Sequence, residues 1–298
     1  MIISRIKGGI GNQLFIYAAS RRLALKNNTE LVLDHLSGFN YDKDYQRHYQ
    51  LNRFNIPCRK ATAKERLEPF PRVRRYLKRF WSRNLPFEKR SYIQEEGTNF
   101  ESQFLNLTLK GKVYLEGYFQ SENFFKDVEL FIKEDLYIYP PNDNKNLSML
   151  KKIQNKVAVA IHVRFFDKSI ITLNKNLKNV ANTSFDYYKK AIIKMNERLP
   201  NAHYFVFSDQ PQKIINYLPL AQNQITIIDH NRGDNMAYAD LWLMLHCQHF
   251  IIAKSTFSWW GAWLSNNKNK IIIAPKIEES KYTFWNNKSL LSKTWTQL

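Results

Sequence analysis

Apolar and polar positions along the chain follow two rhythms. Short apolar runs bounded by glycine, proline or polar turn residues lie at 2–7, 30–34, 112–116, 157–164, 203–207, 225–228, 250–253 and 270–274, and each predicts a strand. Between them run segments with helical spacing. Leu14, Phe15, Ala18, Ala19 and Leu23 form one face of a helix over 12–26. Further helices are predicted over 184–199, opened by Ser184 and closed by Pro200, over 235–245 and over 257–264. Val73, Tyr76, Leu77, Phe80 and Trp81 fall at i, i+3, i+4, i+7 and i+8, another helical stripe. Strand and helix alternate, which predicts an α/β chain with parallel sheets. Pro140-Pro141-Asn142-Asp143-Asn144 is the clearest linker. It divides the chain into domains at 1–145 and 146–298, with a basic helical insert at about 59–90 in the first.

The chain is organised around Val157-Ala158-Val159-Ala160-Ile161-His162-Val163-Arg164. Five apolar residues in a row read as a strand buried on both faces. Side chains then alternate, so His162, Arg164 and Phe166 share one face and Val163, Phe165 and Asp167 the other. The carboxyl ends of strands in open α/β sheets face the ligand crevice. Arg164 is placed there to meet a phosphate with its planar fork of donors, or else to pair with Asp167 and tie down a loop.

Other stretches carry candidate chemistry. Gly9-Ile10-Gly11-Asn12-Gln13-Leu14 nearly fits the dinucleotide fingerprint, but Leu14 replaces the third glycine, which disfavours a nicotinamide site. A flexible loop opening a helix N-terminus remains, a place for an anion, with Asn12 as cap or ligand. Ala253-Lys254-Ser255-Thr256-Phe257-Ser258 repeats the arrangement with hydroxyls and a lysine, while Trp259, Trp260 and Trp263 read as core. Asp209 and Asp240 are single acids suited to a ribose or a guanine edge, or to a cap or a lysine. His246-Cys247-Gln248-His249 lacks a fourth metal ligand, and Asp42-Lys43-Asp44 follows no strand, so no metal site is expected at either.

Composition narrows the classes. Of 298 residues 44% are apolar and 14% aromatic, which excludes disorder. No apolar run nears the roughly 18 residues of a membrane span. The opening residues read as a strand rather than a leader, and two cysteines, Cys58 and Cys247, make no disulfide framework, so a cytoplasmic setting is expected. The net charge of +19 calls for anionic partners: phosphorylated substrates, an anionic membrane or a polyanion. Between Arg59 and Arg90 twelve Lys/Arg stand against three Glu. The stripe inside this segment either lies on an anionic membrane or packs on its own domain.

Gly8-Gly9-Ile10-Gly11-Asn12-Gln13-Leu14-Phe15, Gly117-Tyr118-Phe119-Gln120-Ser121-Glu122, His162-Val163-Arg164 with Asp167, Phe207-Ser208-Asp209, and 251–264 occur in that order. Together they resemble glycosyltransferase family 11, the α-1,2-fucosyltransferases, in the short bacterial form. The resemblance implies a GT-B-like fold, two Rossmann-like domains with a donor cleft between them. It implies inverting transfer of L-fucose from GDP-fucose to the 2-hydroxyl of a galactose, with no cofactor and no obligatory metal. By the same resemblance Arg164 holds the donor pyrophosphate, with His162 and Asp167 in its motif, and Asn12 approaches the phosphates from the other domain. Gly9, Gly11, Asp209, Asp240, Lys254, Ser255, Thr256, Phe257 and Ser258 complete the expected donor site.

The sequence departs from the family pattern twice. Phe165 replaces a second arginine, and Lys254 stands where asparagine is common, so Lys254 is expected to compensate for the lost cation. Asp34, Glu116 and Asp167, each at a strand end, are the candidates for general base. Surface polysaccharide assembly on a galactose-terminated, lipid-linked acceptor at the inner membrane face fits a basic chain. The alternatives are a fucosyltransferase forming a different linkage and a nucleic-acid-binding protein, which would explain the charge but leaves the glycine loop and the Ser255–Leu264 turn without a purpose.

Overall fold

The computed structural model describes residues 1–298 except 41, 43, 44, 98, 166–182, 215, 216 and 279–283. The chain divides into two compact units. One holds Met1–Ile138 and Glu279–Leu290, the other Tyr139–Glu278 and Leu291–Leu298. A single cut near residue 145 therefore misses the segment that goes back to the first unit. Its described part is anchored there by Asn287 Nδ2, which donates to Gln120 O at 2.7 Å, and by Ser289 O, which accepts from Ser121 Oγ at 2.7 Å.

The first unit contains β1 (Ile2–Arg5), α1 (Ile10–Lys26), β2 (Leu31–Asp34), β3 (Arg59–Lys60), α2 (Pro71–Arg83), β4 (Tyr92–Gln94), β5 (Val113–Glu116) and α3 (Glu129–Asp135). Its five strands are all parallel, in the order β3-β2-β1-β5-β4. Helix α1 is buried on nearly every side rather than on one face. Even Arg22 is covered, its guanidinium held by Asp127 and Leu105 O. Helix α2 lies against the edge strand β4 through Arg75 and Ser82, and Ser82 Oγ accepts from Tyr92 N at 3.1 Å. The stripe Val73, Tyr76, Leu77, Phe80, Trp81 points the other way and is exposed, contrary to packing on its own domain.

The second unit contains α4 (Asn144–Gln154), β6 (Val157–Val163), α5 (Phe185–Arg198), β7 (Ala202–Ser208), β8 (Ile225–Ile228), α6 (Ala237–Leu245), β9 (His249–Ile251), α7 (Thr256–Leu264), β10 (Ile272–Ala274) and β11 (Thr296–Gln297). The sheet runs β11-β10-β9-β6-β7-β8, again all parallel. From β6 the chain runs outward to β8, then returns to the opposite side of β6 and runs out to β11, the doubly wound Rossmann order. β6 is the central strand, as its unbroken apolar run requires. Val159, Ile161, Val163 and Phe165 pack on Tyr188, Ala191 and Met195 of α5. Ser184 caps α5 by accepting from Tyr187 N. Trp259, Trp260 and Trp263 cluster in the interior, with Trp259 stacked on Trp263, Trp260 edge-on to both and Trp295 tilted against Trp259, as their reading as core requires.

Candidate active site

In the second unit the strand order reverses between β6 and β9, and such a switch point opens a crevice beyond the strand ends. The register Ile161↔Ile251 brings Arg164 and Lys254 out of the sheet side by side, each three residues further on. The register Val163↔Ser208 sets Asp209 level with Arg164 on the other side. Arg164 Nη1 lies 3.5 Å from Asp209 Oδ2, and Asp209 Oδ1 accepts from Phe165 N at 3.0 Å. Arg164 thus pairs with Asp209; Asp167, the partner considered from the sequence, lies outside the described residues.

Phe165 is in the core, on the face shared with Val163, and the Lys213 ammonium lies 5.3 Å from its ring centroid. A second arginine at this position would start from an inward-facing Cβ, and phenylalanine suits that face. His162 is fully buried, with Nδ1 2.9 Å from Ser258 Oγ. Burial, assisted by the charge of Arg164, pulls its pKa down to about 3. His162 is therefore neutral, and its bond to Ser258 ties the start of α7 to β6.

The turn before α7 is built as the sequence predicts. Ser255 is the N-cap and accepts from Phe257 N at 3.3 Å; Ser258 Oγ also bonds back to Ser255 O. Thr256 opens the helix, and the Phe257 ring lies 5.3 Å from that of His162. Such an N-terminus favours an anion, typically by about 0.3–1 kcal/mol per charge at an exposed site. The backbone N–H of Lys254 donates to Thr183 Oγ1 at 3.1 Å, and its ammonium is paired with Glu278. Lys254 thus already has a carboxylate partner, which limits its use as a substitute for the second arginine. Asp240 stands in the first turn of α6 and accepts from Asn231 Nδ2 at 2.9 Å. Burial pushes its pKa up to about 7 against that hydrogen bond.

The first unit has its own glycine turn. Gly8 takes a positive φ of 75°, and a Cβ there would meet Asn12 Nδ2 at 2.9 Å. Gly9 is the N-cap of α1 and Gly11 its second residue, so Asn12 lies within the first turn and is not the cap. Its Oδ1 accepts from Gln120 Nε2 at 2.9 Å, which joins two of the recognised motifs. Gln13, fully buried, donates to Gly8 O and His48 O and accepts from Gln50 N. The Arg47 guanidinium covers Gly9. Arg47 did not stand out in the sequence, and Gln13 did so only as part of the glycine motif, since each takes its place through residues about 35 positions away.

The proposed bases in this unit are engaged. Asp34 is fully buried and accepts from Ser37 N, Ser37 Oγ, Leu36 N and Tyr114 Oη, which makes it a turn anchor. Glu116 bonds Arg5 and Tyr92 and lies 3.7 Å from Lys7 Nζ. Burial opposes its charge, but Arg5, Tyr92 and Lys7 outweigh it and hold the carboxyl below its ordinary range. Glu95, just beyond β4, was not singled out. Burial raises its pKa even though it accepts from the N–H groups of Tyr118 and Phe119 at 2.6 and 2.9 Å.

The discounted motifs are occupied by structure. Asp42 accepts from Tyr45 N and Arg47 N, while Lys43 and Asp44 lie outside the described residues. His246 Nδ1 bonds Trp242 O, Cys247 is buried, and His249 Nδ1 accepts from Ile271 N within the sheet.

Two Rossmann-like α/β units in one chain, one with a cation and a helix N-terminus at its switch point, define a GT-B-like protein. The chain belongs to glycosyl transferase family 11, whose model it matches over residues 1–298. It is a glycosyltransferase. It is 31% identical to an α-1,2-colitosyltransferase of Escherichia coli over 92% of this chain and 91% of that one. It is 33% identical to the O-antigen biosynthesis glycosyltransferase WbnK of Escherichia coli, over 99% of each chain. Among solved structures it is 14% identical to a NodZ α-1,6-fucosyltransferase soaked with GDP-fucose, with a TM-score of 0.47, over 88% of this chain and 91% of that one.

Proposed function

We propose that this glycosyltransferase moves L-fucose from GDP-fucose to the 2-hydroxyl of a galactose residue, with inversion, during assembly of an O-antigen-type surface polysaccharide. The observation that supports this most is Arg164 at the β6/β9 switch point, braced by Asp209 and followed across the sheet by the N-terminus of α7. Negative charge grows on GDP as its bond to C1 breaks, so a fixed guanidinium at the β-phosphate acts more strongly in the transition state than in the ground state. C1 becomes oxocarbenium-like, and the acceptor hydroxyl loses its proton late. With Asp34 and Glu116 held by other donors, Asp167 keeps the role of base in this proposal. Asp209, Asp240 and 254–258 are proposed to line the donor. No divalent metal is required in this scheme. The acceptor is a lipid-linked glycan at the inner face of the membrane.

Titration of GDP into the wild-type protein and Arg164→Ala, each with and without EDTA, tests the donor site. Metal-independent binding that weakens sharply in the variant is expected; binding that needs a divalent ion, or that ignores Arg164, overturns the scheme. Product from GDP-fucose and a galactoside, with its linkage read by NMR, tests the reaction. The colitosyltransferase relative favours a second reading, in which the donor sugar is the 3-deoxy counterpart of fucose. The two donors compared at equal concentration distinguish the readings.

A further inference from the structure

Helix α2 is mounted with its apolar face outward. In a helix that serves a domain core, the apolar stripe faces that core. Here the buried positions are Arg75 and Ser82, and the stripe faces solvent. Phe70, just before the helix, and Trp81 are each 72% exposed, and even Leu77, the least exposed of the set, is at 47%. The mounting is firm. Ser82 Oγ accepts from Tyr92 N, and Arg79 Nη1 donates to Gln94 Oε1 at 2.9 Å, so β4 fixes which way α2 turns. Phe80 packs edge-on against Trp81 and stacks with Tyr76, forming one contiguous aromatic ridge.

Basic residues line both sides of this ridge. At 100° per residue, Arg74 and Lys78 fall on one flank, and Arg72, Arg79 and Arg83 on the other. The helix contains no acidic residue. Two copies meeting through this face would bring these cations together, which opposes a dimer. An anionic bilayer satisfies both halves: rings and aliphatic side chains enter the headgroup boundary, tyrosine and tryptophan sit at its level, and long basic side chains reach the phosphates. We propose that the outward face of α2 is a docking surface for an anionic phospholipid bilayer, with Phe70, Val73, Leu77, Phe80 and Trp81 inserted and Arg72, Lys78 and Arg83 on the lipid phosphates. The inference stands on α2 alone and does not depend on the identity of the donor.

The tryptophans provide a clean readout. Of the seven, Trp242, Trp259, Trp260, Trp263, Trp285 and Trp295 are buried, so Trp81 alone is exposed to bound lipid. The full chain is mixed with vesicles of phosphatidylcholine, with or without phosphatidylglycerol, and with brominated lipid as quencher. Binding to the anionic vesicles, a blue shift and bromine quenching are expected, all weakened by salt. Trp81→Ala abolishes the optical change, and Phe80→Asp releases the protein from vesicles whereas Phe80→Leu does not. Lys78→Gln with Arg83→Gln weakens partitioning by about five-fold for each charge removed. These side chains lie on the outward side of α2 or its flanks, so circular dichroism and turnover of a soluble acceptor remain at the wild-type level. Absence of binding to anionic vesicles overturns the proposal, as does binding indifferent to Phe80→Asp. A dimer that Phe80→Asp dissociates, or an oligonucleotide that shifts Trp81 emission as strongly as anionic lipid, also overturns it.

Discussion

Asp209 ties Arg164 to the sheet with both carboxylate oxygens: Oδ2 lies 3.5 Å from the guanidinium, and Oδ1 accepts the N–H of Phe165 at 3.0 Å. The acid thus orients both the arginine side chain and the backbone from which it projects. Arg164→Ala should lower kcat about 10²–10³-fold. Arg164→Lys keeps the charge but loses the planar fork, so it should recover only part of that loss. Asp209→Asn should give a smaller loss, since one backbone anchor survives. Steady-state kinetics on the three variants check this order, and an Arg164→Ala enzyme with wild-type kcat would remove Arg164 from the mechanism.

His162 makes the fold sensitive to acid. Its folded pKa, about 3, lies below the ordinary 6.5, so the unfolded chain binds the proton first. The stability it contributes is complete above pH 6.5 and declines as pH falls toward 3, by about 1.4 kcal/mol per pH unit for this one group. Urea unfolding of wild type and His162→Gln at pH 7 and pH 5 should show a smaller acid loss in the variant. Equal losses would mean that His162 titrates normally.

Asp240 has the opposite sign. Its folded pKa of about 7 exceeds the ordinary 3.8, so the native state holds the proton longer and stability from this group falls as pH rises from about 4 to 7. Asp240→Asn removes that dependence and can still accept from Asn231. The variant should gain stability relative to wild type at pH 8 compared with pH 4, and bind GDP more weakly. A stability difference that does not change with pH would show that the carboxyl is not desolvated.

The Lys254–Glu278 pair sets how much of the lysine charge reaches a ligand. Glu278→Gln should tighten GDP binding, and Lys254→Ala should raise the donor KM. Unchanged donor kinetics in both variants would leave Lys254 as a loop anchor through Thr183.

Phe165 is a core residue with an aromatic neighbour, Tyr217, 5.8 Å away between centroids. Phe165→Ala should cost about 3–5 kcal/mol by cavity formation, read as a lowered denaturant midpoint. A loss near zero would place the ring outside the packed core.

Much of the fold was legible in the sequence. The buried run 157–163, the serine cap of α5, the Ser255 turn and the glycine loop are local patterns, set by backbone periods of 2 and 3.6 and by single capping side chains. The roles of site residues were less legible. Nothing near Asp34 in sequence shows that Tyr114, eighty positions on, donates to its carboxylate. Nor do Glu116 and Arg5, far apart in the chain, reveal their pairing. Glu95 was missed because its raised pKa comes from burial beneath a loop more than twenty residues later.

The sequence by itself determined that strands and helices alternate, that Arg164 ends a central strand, and that 71–83 is a basic amphipathic helix. Each follows from neighbours within a few residues, where side-chain spacing and covalent geometry leave little choice. Only the tertiary structure decided that Arg164 is braced by Asp209, that His162 is neutral, that two of the three expected bases are already occupied, and that the apolar stripe of α2 faces outward. Those outcomes depend on which distant surfaces are brought together, and on how much water each side chain loses when they are. Periodicity records which face is apolar; it does not record what that face meets.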